Sequence, residues 1–417
     1  MPTVSFTTSG ALGKSALRQA NERLVLNSIR RSPGISRAEI ARTTGFSRTS
    51  VTFVVNRLIR ERLVVEEKVE TGAQAGRPPT ALHLAARSRM AIGVEVARTK
   101  SRVVLVDLSG EVVRQRDVPW QSDPNGFLGD LQLAICDVAS GYKVRQILGV
   151  GISLPGTIDK SAGRVLGAEG LGWFNLEVGA ILRRRLPWPL FFENDANLAA
   201  LAEQWYLPAG REPLRYFVYV QTQGGLGTGV VVDGRILHGV ASAGTEFGHV
   251  MLYPDGRPCR CGNRGCWEQY ASDAALVRNY VELGGRDGGA EMIWEDSLRI
   301  VKLARAGDNI ALQALRGTAA SLALGFVNLV AVFNPQAIIM GEPFSSAWDL
   351  VEDVVHNELK RRVPAYSLSN LRLLPSREGA DATLRGAAAL VLAGFFTSFD
   401  HTKDDSLPNG VSIEAHG

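Results

Sequence analysis

Three of the four cysteines in this chain lie within eight residues of one another, and a histidine precedes them by ten residues. Three thiolates and one imidazole suit a tetrahedral Zn²⁺ ion, and two glycines between the last two cysteines allow the loop to turn back. Four protein ligands leave no open position for water, which favours a structural zinc over a catalytic one. The predicted ligands are His249, Cys259, Cys261 and Cys266. A disulfide or buried free thiols are the alternative, but disulfides are typical of oxidising compartments, and the chain begins without the apolar core of a signal peptide.

Two carboxylates bracket this cysteine cluster. Glu246 precedes His249 by three residues, and Glu268 follows Cys266 by two. A metal-bound loop that holds two carboxylates in place predicts a binding site for a small polar ligand.

The spacing E-x-x-H-x9-C-x-C-x4-C-x-E, which reads GTEFGH and then CRCGNRGCWEQYAS, resembles the ROK family of repressors and sugar kinases. The segments LPGTID and ENDANLAALAE are also similar to that family, and the resemblance extends over residues 17–395. Within that family the chain resembles the transcriptional-repressor branch, which includes the xylose and N-acetylglucosamine repressors. The resemblance implies a sugar pocket formed by Asn194, Asp195, Glu246, His249 and Glu268. For Asn194, a helix cap or Asx turn is the alternative interpretation.

The nucleotide loops depart from the kinase members of the family, where an Asp is followed by Gly-Gly-Thr. The matching residues here are Glu95, Ala97, Arg98 and Thr99. Both glycines are absent, and a phosphate loop needs them so that its backbone amides can approach the anion. A second loop begins Gln223-Gly224-Gly225 where kinases usually have Gly-Thr-Gly, and Glu342 stands beside the expected adenosine site. The sequence therefore predicts that the protein is not an enzyme. The alternative is an active ATP-dependent hexose kinase with an extra DNA-binding head, and control by a protein partner also stays open.

The elements before this body predict a helix-turn-helix. Ser36 and Glu39 form a capping box, Gly45 ends the first helix of the pair, and Ser47 begins the second. One apolar stripe at helical spacing predicts the buried face of the second helix. Its members are Val51, Val54, Val55, Leu58 and Ile59. An earlier helix is predicted over residues 17–30, with Leu17, Ala20, Leu24 and Ser28 or Ile29 along one face.

The second helix of the pair has no acidic residue between Ser47 and Arg60. Because recognition helices contact base edges through their N-terminal residues, we expect base contacts near its start and phosphate contacts near its end. The predicted base-side residues are Ser47, Arg48, Thr49, Ser50 and Thr52, and the predicted phosphate contacts are Arg57 and Arg60.

Two short β-like pieces follow as a wing. Between them Arg77, in Gly76-Arg77-Pro78-Pro79, is predicted to enter an A·T-rich minor groove, unless this stretch is a plain linker.

Charge is distributed unevenly along the chain. Residues 1–90 hold 15 Lys and Arg against 6 Asp and Glu, a net charge of +9, and the remainder holds 31 against 36, a net charge of −5. A basic segment joined to a mildly acidic body indicates a nucleic-acid module attached to a sensor or enzyme. At 417 residues the chain also exceeds one compact core, so several domains are expected.

The predicted fold class is α/β: an N-terminal winged helix-turn-helix plus a two-lobed actin-like (ribonuclease H-like) sugar-kinase fold. The predicted divisions are residues 1–16 as a flexible N-terminus, 17–88 as the DNA-binding domain, 89–398 as the ROK body and 399–417 as a disordered tail. No apolar run of transmembrane length is expected, so the predicted location is cytoplasmic.

The resemblance implies a sugar-responsive repressor of carbohydrate-use genes, such as those of xylose metabolism. Its expected partners are double-stranded DNA with an inverted repeat, a small sugar effector and a second copy of the chain, as a homodimer or dimer of dimers. Its expected cofactor is structural Zn²⁺. Closure of the body around the sugar would change the spacing of the DNA-binding heads.

Overall fold

A computed structural model describes residues 14–68, 80–208, 210–239, 245–286 and 293–398. They fall into two compact units, one within Met1–Ser88 and Leu392–Gly417 and the other within Arg89–Val391. The predicted division after residue 88 coincides with the first boundary, whereas residues from Leu392 onward group with the N-terminal unit. The predicted disordered tail, the first 13 residues and the arm around Arg77 lie outside the described residues.

The first unit is a winged helix-turn-helix. It contains α1 (Lys14–Arg31), α2 (Arg37–Thr44), α3 (Arg48–Arg60), β1 (Val64–Lys68) and β2 (Thr80–Leu84). The capping box is present, because Glu39 N donates to Ser36 Oγ at 3.2 Å and Ser36 N donates to Glu39 Oε2 at 2.9 Å. Gly45 ends α2 with a φ of 74°, a left-handed conformation that favours glycine. Strands β1 and β2 pair antiparallel as the wing.

The core of this unit follows the predicted stripe of α3 but not that of α1. Val51, Val54, Val55 and Leu58 are buried, whereas Ile59 is partly exposed. The α1 prediction was wrong at Leu24, which is 52% exposed, because the inner face of α1 consists of Val25, Leu26 and Ile29. Apolar residues occupy adjacent positions in α1, so the sequence pattern fits two helix faces that differ by one residue. Packing against α3 decides which of the two faces is buried.

The second unit contains a first five-stranded sheet. Its strands are β3 (Met90–Glu95), β4 (Lys100–Asp107), β5 (Val112–Pro119), β6 (Ile147–Leu154) and β10 (Leu190–Asn194), in the order β5-β4-β3-β6-β10. The first three are antiparallel, and β6 and β10 run parallel to β3. A small sheet is inserted before β10, with β7 (Thr157–Asp159), β8 (Arg164–Ala168) and β9 (Trp173–Leu176). Helices α4 (Pro124–Ala139) and α5 (Val178–Arg183) accompany this lobe.

A second five-stranded sheet repeats the same arrangement. Its strands are β11 (Phe217–Gln221), β12 (Gly227–Val232), β13 (Arg235–Ile236), β14 (Ala337–Met340) and β15 (Arg372–Pro375), in the order β13-β12-β11-β14-β15. In both sheets the strands lie in the order third, second, first, fourth, fifth, so the body has two related lobes. This repeated sheet is the actin-like, ribonuclease H-like architecture that the sequence predicted.

The remaining helices belong mainly to the second lobe. They are α6 (Asp195–Trp205), α7 (Glu268–Ala271), α8 (Asp273–Glu282), α9 (Ile293–Arg305), α10 (Asn309–Phe333), α11 (Trp348–Arg362), α12 (Ala365–Leu368) and α13 (Ala382–Ser398). Helix α10 and the stretch Gly379–Thr397 are long and apolar enough to span a membrane by length and composition alone, which the sequence prediction had missed. About half of each is buried within the fold, as expected for core helices.

Candidate functional site

The structure brings the four predicted metal ligands together. Their ligand atoms all lie within 4.8 Å of one another. Two thiolates at about 2.3 Å from a tetrahedral zinc are about 3.8 Å apart, and a thiolate and an imidazole nitrogen are about 3.6 Å apart. The Sγ atoms of Cys261 and Cys266 are separated by 3.7 Å, and Cys259 Sγ lies 3.6 Å from His249 Nδ1. These residues therefore could hold a metal ion, and their spacing fits zinc.

Backbone hydrogen bonds shape the cysteine loop, residues 249–266. Cys259 N donates to Asn263 O at 2.8 Å and Gly265 N donates to Arg257 O at 2.8 Å, which folds the segment into a tight hairpin. Gly265 has a φ of 73°, and a Cβ there would lie 1.6 Å from Tyr253 O, so no other residue fits. Burial and the neighbouring thiols of Cys261 and Cys259 raise the pKa of Cys266 to about 12. A metal ion must therefore displace a proton from this thiol when it binds.

His249 presents its two ring nitrogens to different groups. Nδ1 faces the thiols, whereas Nε2 lies 4.0 Å from Glu246 Oε2. Glu246 is half-exposed, and burial together with the carboxylates of Glu268 and Glu169 raises its pKa, against the opposing effect of His249. One nitrogen of His249 can thus bind a metal while the other stays on the ligand side.

Asp195 joins the same group of carboxylates. It is the first residue of α6, directly after β10, and Gln221 Nε2 donates to its Oδ2 at 3.3 Å. Burial raises the pKa of Asp195 to about 6, and the carboxylates of Glu246 and Glu95 contribute to this shift. Asp195 and Glu246 therefore lie near one another. Carboxylates accept hydrogen bonds from hydroxyl groups, so a pair of this kind can bind a polyol.

Asn194 has the structural role that was the alternative prediction. Its Oδ1 caps α6 by accepting from Ala196 N at 3.0 Å and Asn197 N at 3.4 Å, and its Nδ2 donates to Gly156 O at 3.3 Å. The residue therefore connects the start of α6 to the Pro155-Gly156 loop. A sugar contact by Asn194 stays a prediction.

The first loop position that binds phosphate in kinases is closed by side chains of this chain. Ala97 N, in the turn between β3 and β4, donates to Ser101 Oγ at 3.0 Å. Behind it the buried carboxylate of Glu95 accepts from Arg102 Nε at 2.7 Å, and Arg102 also pairs with Asp381. Burial raises the pKa of Glu95, and Arg102 opposes that shift.

The second loop position is closed in the same way. Gly224 N donates to Asp273 Oδ2 at 3.0 Å, and Ala274 N donates to Oδ1 at 2.7 Å. Asp273 is buried, and burial raises its pKa to about 7, with a further contribution from Glu268. Leu226 N in turn donates to Glu268 Oε2 at 3.2 Å.

A pocket lies beside these loops. A cavity of about 10 Å³ lies there, which holds about one water molecule. It is lined by Tyr219, Gln221, Gln223, Gly341, Glu342, Gly379, Ala380, Ala382 and Thr383.

The sequence analysis did not identify three residues that interact with the candidate site residues: Glu169, Asp273 and Arg102. Glu169 lies in the loop between β8 and β9, where no local pattern marks it. Asp273 follows a helix-capping serine, Ser272, so a capping pattern was the available signal. Arg102 follows from β pairing, because the hairpin register places it opposite Glu95.

In the N-terminal unit, most predicted DNA contacts lie on one accessible face of α3. Ser47, Arg48, Thr49, Ser50, Thr52 and Arg60 are exposed. Ser47 also caps the helix, since Ser50 N donates to its Oγ at 3.1 Å. Arg77 lies outside the described residues.

The prediction of a phosphate contact is not supported for Arg57. Its side chain is 19% exposed and donates to the buried Glu22 at 2.7 Å and to Glu61 at 2.9 Å. The guanidinium therefore joins α1 to α3 inside the unit. A buried acid in α1 attracts the nearest arginine inward, which the helical pattern of α3 alone does not reveal.

The model of the ROK family matches residues 91–393, and that of the MarR family matches residues 19–75. The chain belongs to the ROK family. A xylose repressor of Bacillus spizizenii is 28% identical over 386 residues, which cover 91% of this chain and 96% of the repressor. A glucokinase of Streptomyces coelicolor is 31% identical over 315 residues, which cover 72% of this chain and 97% of the glucokinase.

Among solved structures, a ROK family transcriptional regulator described as a homologue of the E. coli MLC protein matches this ROK protein with a TM-score of 0.73 at 25% identity. The match covers 91% of this chain and 97% of that regulator. The repressor and regulator matches thus cover about nine-tenths of the chain, whereas the glucokinase match covers less. The helix-turn-helix unit accounts for this difference in coverage.

Proposed function

We propose that this ROK protein is a transcriptional repressor of carbohydrate-use genes that a small sugar releases from its operator. The main supporting observation concerns the two loops that match the phosphate loops of kinases by sequence. In each, a backbone amide donates to a side chain of the protein, Ala97 N to Ser101 and Gly224 N to Asp273. Glu246, in contrast, is half-exposed beside His249, and neighbouring carboxylates raise its pKa and that of Asp195, which supports a polar ligand there. A body of this kind can sense a sugar without phosphorylating it, which favours a regulator over a kinase.

The sugar would lie among Asp195, Glu246, Glu268 and His249, with Asn194 at the edge. A structural Zn²⁺ on His249, Cys259, Cys261 and Cys266 would hold His249 so that its second nitrogen stays oriented toward the ligand. Closure of the two lobes around the sugar would then favour a form of the protein with weaker DNA affinity. The sugar can shift this equilibrium only by its differential affinity for the two forms.

DNA binding would reside in the helix-turn-helix unit. A homodimer or dimer of dimers would place two units on an inverted repeat, with half-sites spaced by whole helical turns. The protein would act in the cytoplasm. Because one relative is named a xylose repressor, xylose is the first effector to test.

The test uses the full-length protein and a duplex selected from a random library for tight binding. We expect one sugar among xylose, glucose and N-acetylglucosamine to release that duplex without ATP. Failure to select any duplex, or sugar-dependent ATP turnover that Asp195→Ala abolishes, would contradict the proposal and favour the kinase alternative.

Two arginines of α3 test the DNA-binding face. Arg48→Ala should reduce the preference for the selected duplex over scrambled DNA by roughly 1–3 kcal/mol, because an arginine at the start of a recognition helix can pair bidentately with guanine. Arg60→Ala should weaken both complexes alike and reduce the salt dependence. Titrations at two salt concentrations separate these effects, and an unchanged preference in Arg48→Ala would mean that another face of α3 meets the bases.

A further inference from the structure

The recognition helix α3 exposes an aromatic ring. Phe53 is 53% exposed, although the opposite face of α3 buries Val51, Val54 and Val55. Exposure of a large apolar side chain on a small helical unit is unfavourable in water, and aromatic residues contribute most when they are buried against a partner. The exposed ring of Phe53 is thus available to a partner outside the described unit.

The ring is held in place by a neighbouring helix. The guanidinium of Arg18, in α1, lies 5.3 Å from the centroid of the Phe53 ring, at a distance typical of a cation–π contact. Arg18 also lies 3.5 Å from Glu22, the buried acid that binds Arg57. The ring is thus oriented by the same charged network that joins α1 to α3.

The surroundings of the ring indicate what its partner is. On α3, Thr49 lies one turn before Phe53, Asn56 lies one turn after it, and Arg60 follows at the end of the helix. All three are exposed, and no acid lies on this face. An apolar ring among hydroxyl, amide and guanidinium groups fits the major groove of DNA, which combines polar base edges with one apolar group, the C5-methyl of thymine.

We propose that Phe53 contacts a thymine C5-methyl group in each operator half-site and so helps to specify the operator sequence. Arg18 is a positioning residue that orients the ring. A cytosine at this position presents only C5–H where thymine has its methyl group, so the contact favours thymine over cytosine. The inference rests on DNA binding by the helix-turn-helix unit.

The experiment compares the selected duplex with a copy in which every thymine is replaced by deoxyuridine. This replacement removes the methyl groups and keeps all Watson–Crick pairing. One buried methyl contributes about a fourfold change in affinity, so two heads on an inverted repeat should bind the uridine duplex about 15-fold less tightly. We measure dissociation constants by fluorescence anisotropy at one salt concentration, with full-length protein.

Three variants assign the methyl dependence to the ring. In Phe53→Ala the thymine-to-uridine ratio should fall close to one, and in Phe53→Leu it should stay between the alanine and wild-type values. Leu24→Ala is the matched control, since Leu24 is equally exposed but lies on α1; it should keep the wild-type ratio. Because the ring is exposed, Phe53→Ala should keep the wild-type melting temperature and oligomeric state.

The inference is overturned if Phe53→Ala keeps the wild-type thymine-to-uridine ratio. A change of oligomeric state with an unchanged ratio would assign the ring to a protein–protein contact. Equal weakening on both duplexes would assign it to the backbone or to folding. If no duplex can be selected at all, it is the proposed function that fails, and the two outcomes are therefore distinguishable.

Discussion

The two halves of the cleft in the ROK body have opposite character. On the side of the cysteine loop, the four candidate ligand atoms lie within 4.8 Å of one another, and the carboxylate of Glu246 beside them is half-exposed. In the two loops that match the phosphate loops of kinases by sequence, Ser101 and Asp273 accept from the backbone amides of Ala97 and Gly224. One fold can therefore keep half of a binding site and fill the other half with its own side chains.

The difference between the two regions lies in how loop amides are satisfied. Backbone amides must be hydrogen-bonded when they are buried, whether by a ligand or by the protein. A serine or aspartate that takes the place of a phosphate oxygen satisfies this requirement internally. The loops then keep their conformation with no nucleotide bound.

The largest expected effect comes from removing the thiol ligands. Cys259→Ser combined with Cys261→Ser should abolish binding of about one equivalent of zinc and lower the melting midpoint by roughly 10 °C, since metal binding is coupled to folding of its loop. Metal analysis and thermal melts measure both. Cys136→Ser is the control, because that exposed cysteine lies outside the cluster. Full zinc content in the double variant would disprove the four-ligand assignment.

The second effect concerns the carboxylates. Asp195→Ala and Glu246→Ala should each weaken the sugar response at least tenfold while DNA affinity is kept, because each removes a charged hydrogen-bond acceptor for a sugar hydroxyl. The measurement is the sugar concentration that half-releases the selected duplex.

Asp255→Ala, which alters an exposed aspartate of the cysteine loop, is the matched control for this effect and should respond as the wild type. If the Asp195 and Glu246 variants release DNA at the wild-type sugar concentration, the pocket lies elsewhere.

Local sequence patterns were sufficient to predict many of the structural elements. They were insufficient to predict contacts between residues that are distant in the chain. The capping box at Ser36, the left-handed Gly45 and the cysteine spacing are each specified within a few residues, so the sequence predicted them. The inward turn of Arg57 depends on a buried acid 35 residues away in the chain. The closing of the second glycine loop depends on Asp273, 49 residues from Gly224. Such pairings need the tertiary fold.

A pH-dependent effect is expected from Asp273, which accepts from the backbone amide of Gly224 in the second loop. The pKa of Asp273 is raised from 3.8 to about 7, so its stabilising contribution is present below about pH 4 and is lost as the pH rises through 7. Asp273→Asn removes this dependence. The loss of stability between pH 5 and pH 8.5 should therefore be smaller in the variant, by up to about 3 kcal/mol.

Denaturant melts at the two pH values measure this difference. Asp308→Asn is the control: Asp308 also accepts a backbone amide at a helix start, from Ala311, but is less buried. It should keep the wild-type pH dependence. An Asp273→Asn variant that loses as much stability as the wild type would mean that Asp273 does not titrate in this range.

The smallest expected effect is that of nucleotide on stability. A ligand at 100 times its dissociation constant stabilises a protein by about 2.7 kcal/mol, or roughly 5–10 °C for a body of this size. Mg·ATP at millimolar concentration should produce no such shift.

Ala97→Gly combined with Arg98→Gly restores the glycines but leaves Ser101 and Asp273 bonded to the loop amides, so it should also show no shift. A rise of several degrees in the double variant would mean that the missing glycines alone exclude nucleotide and that the internal side chains yield to phosphate. A rise in the wild type would mean that the nucleotide half of the cleft is still functional, and the contrast between the two halves would be lost.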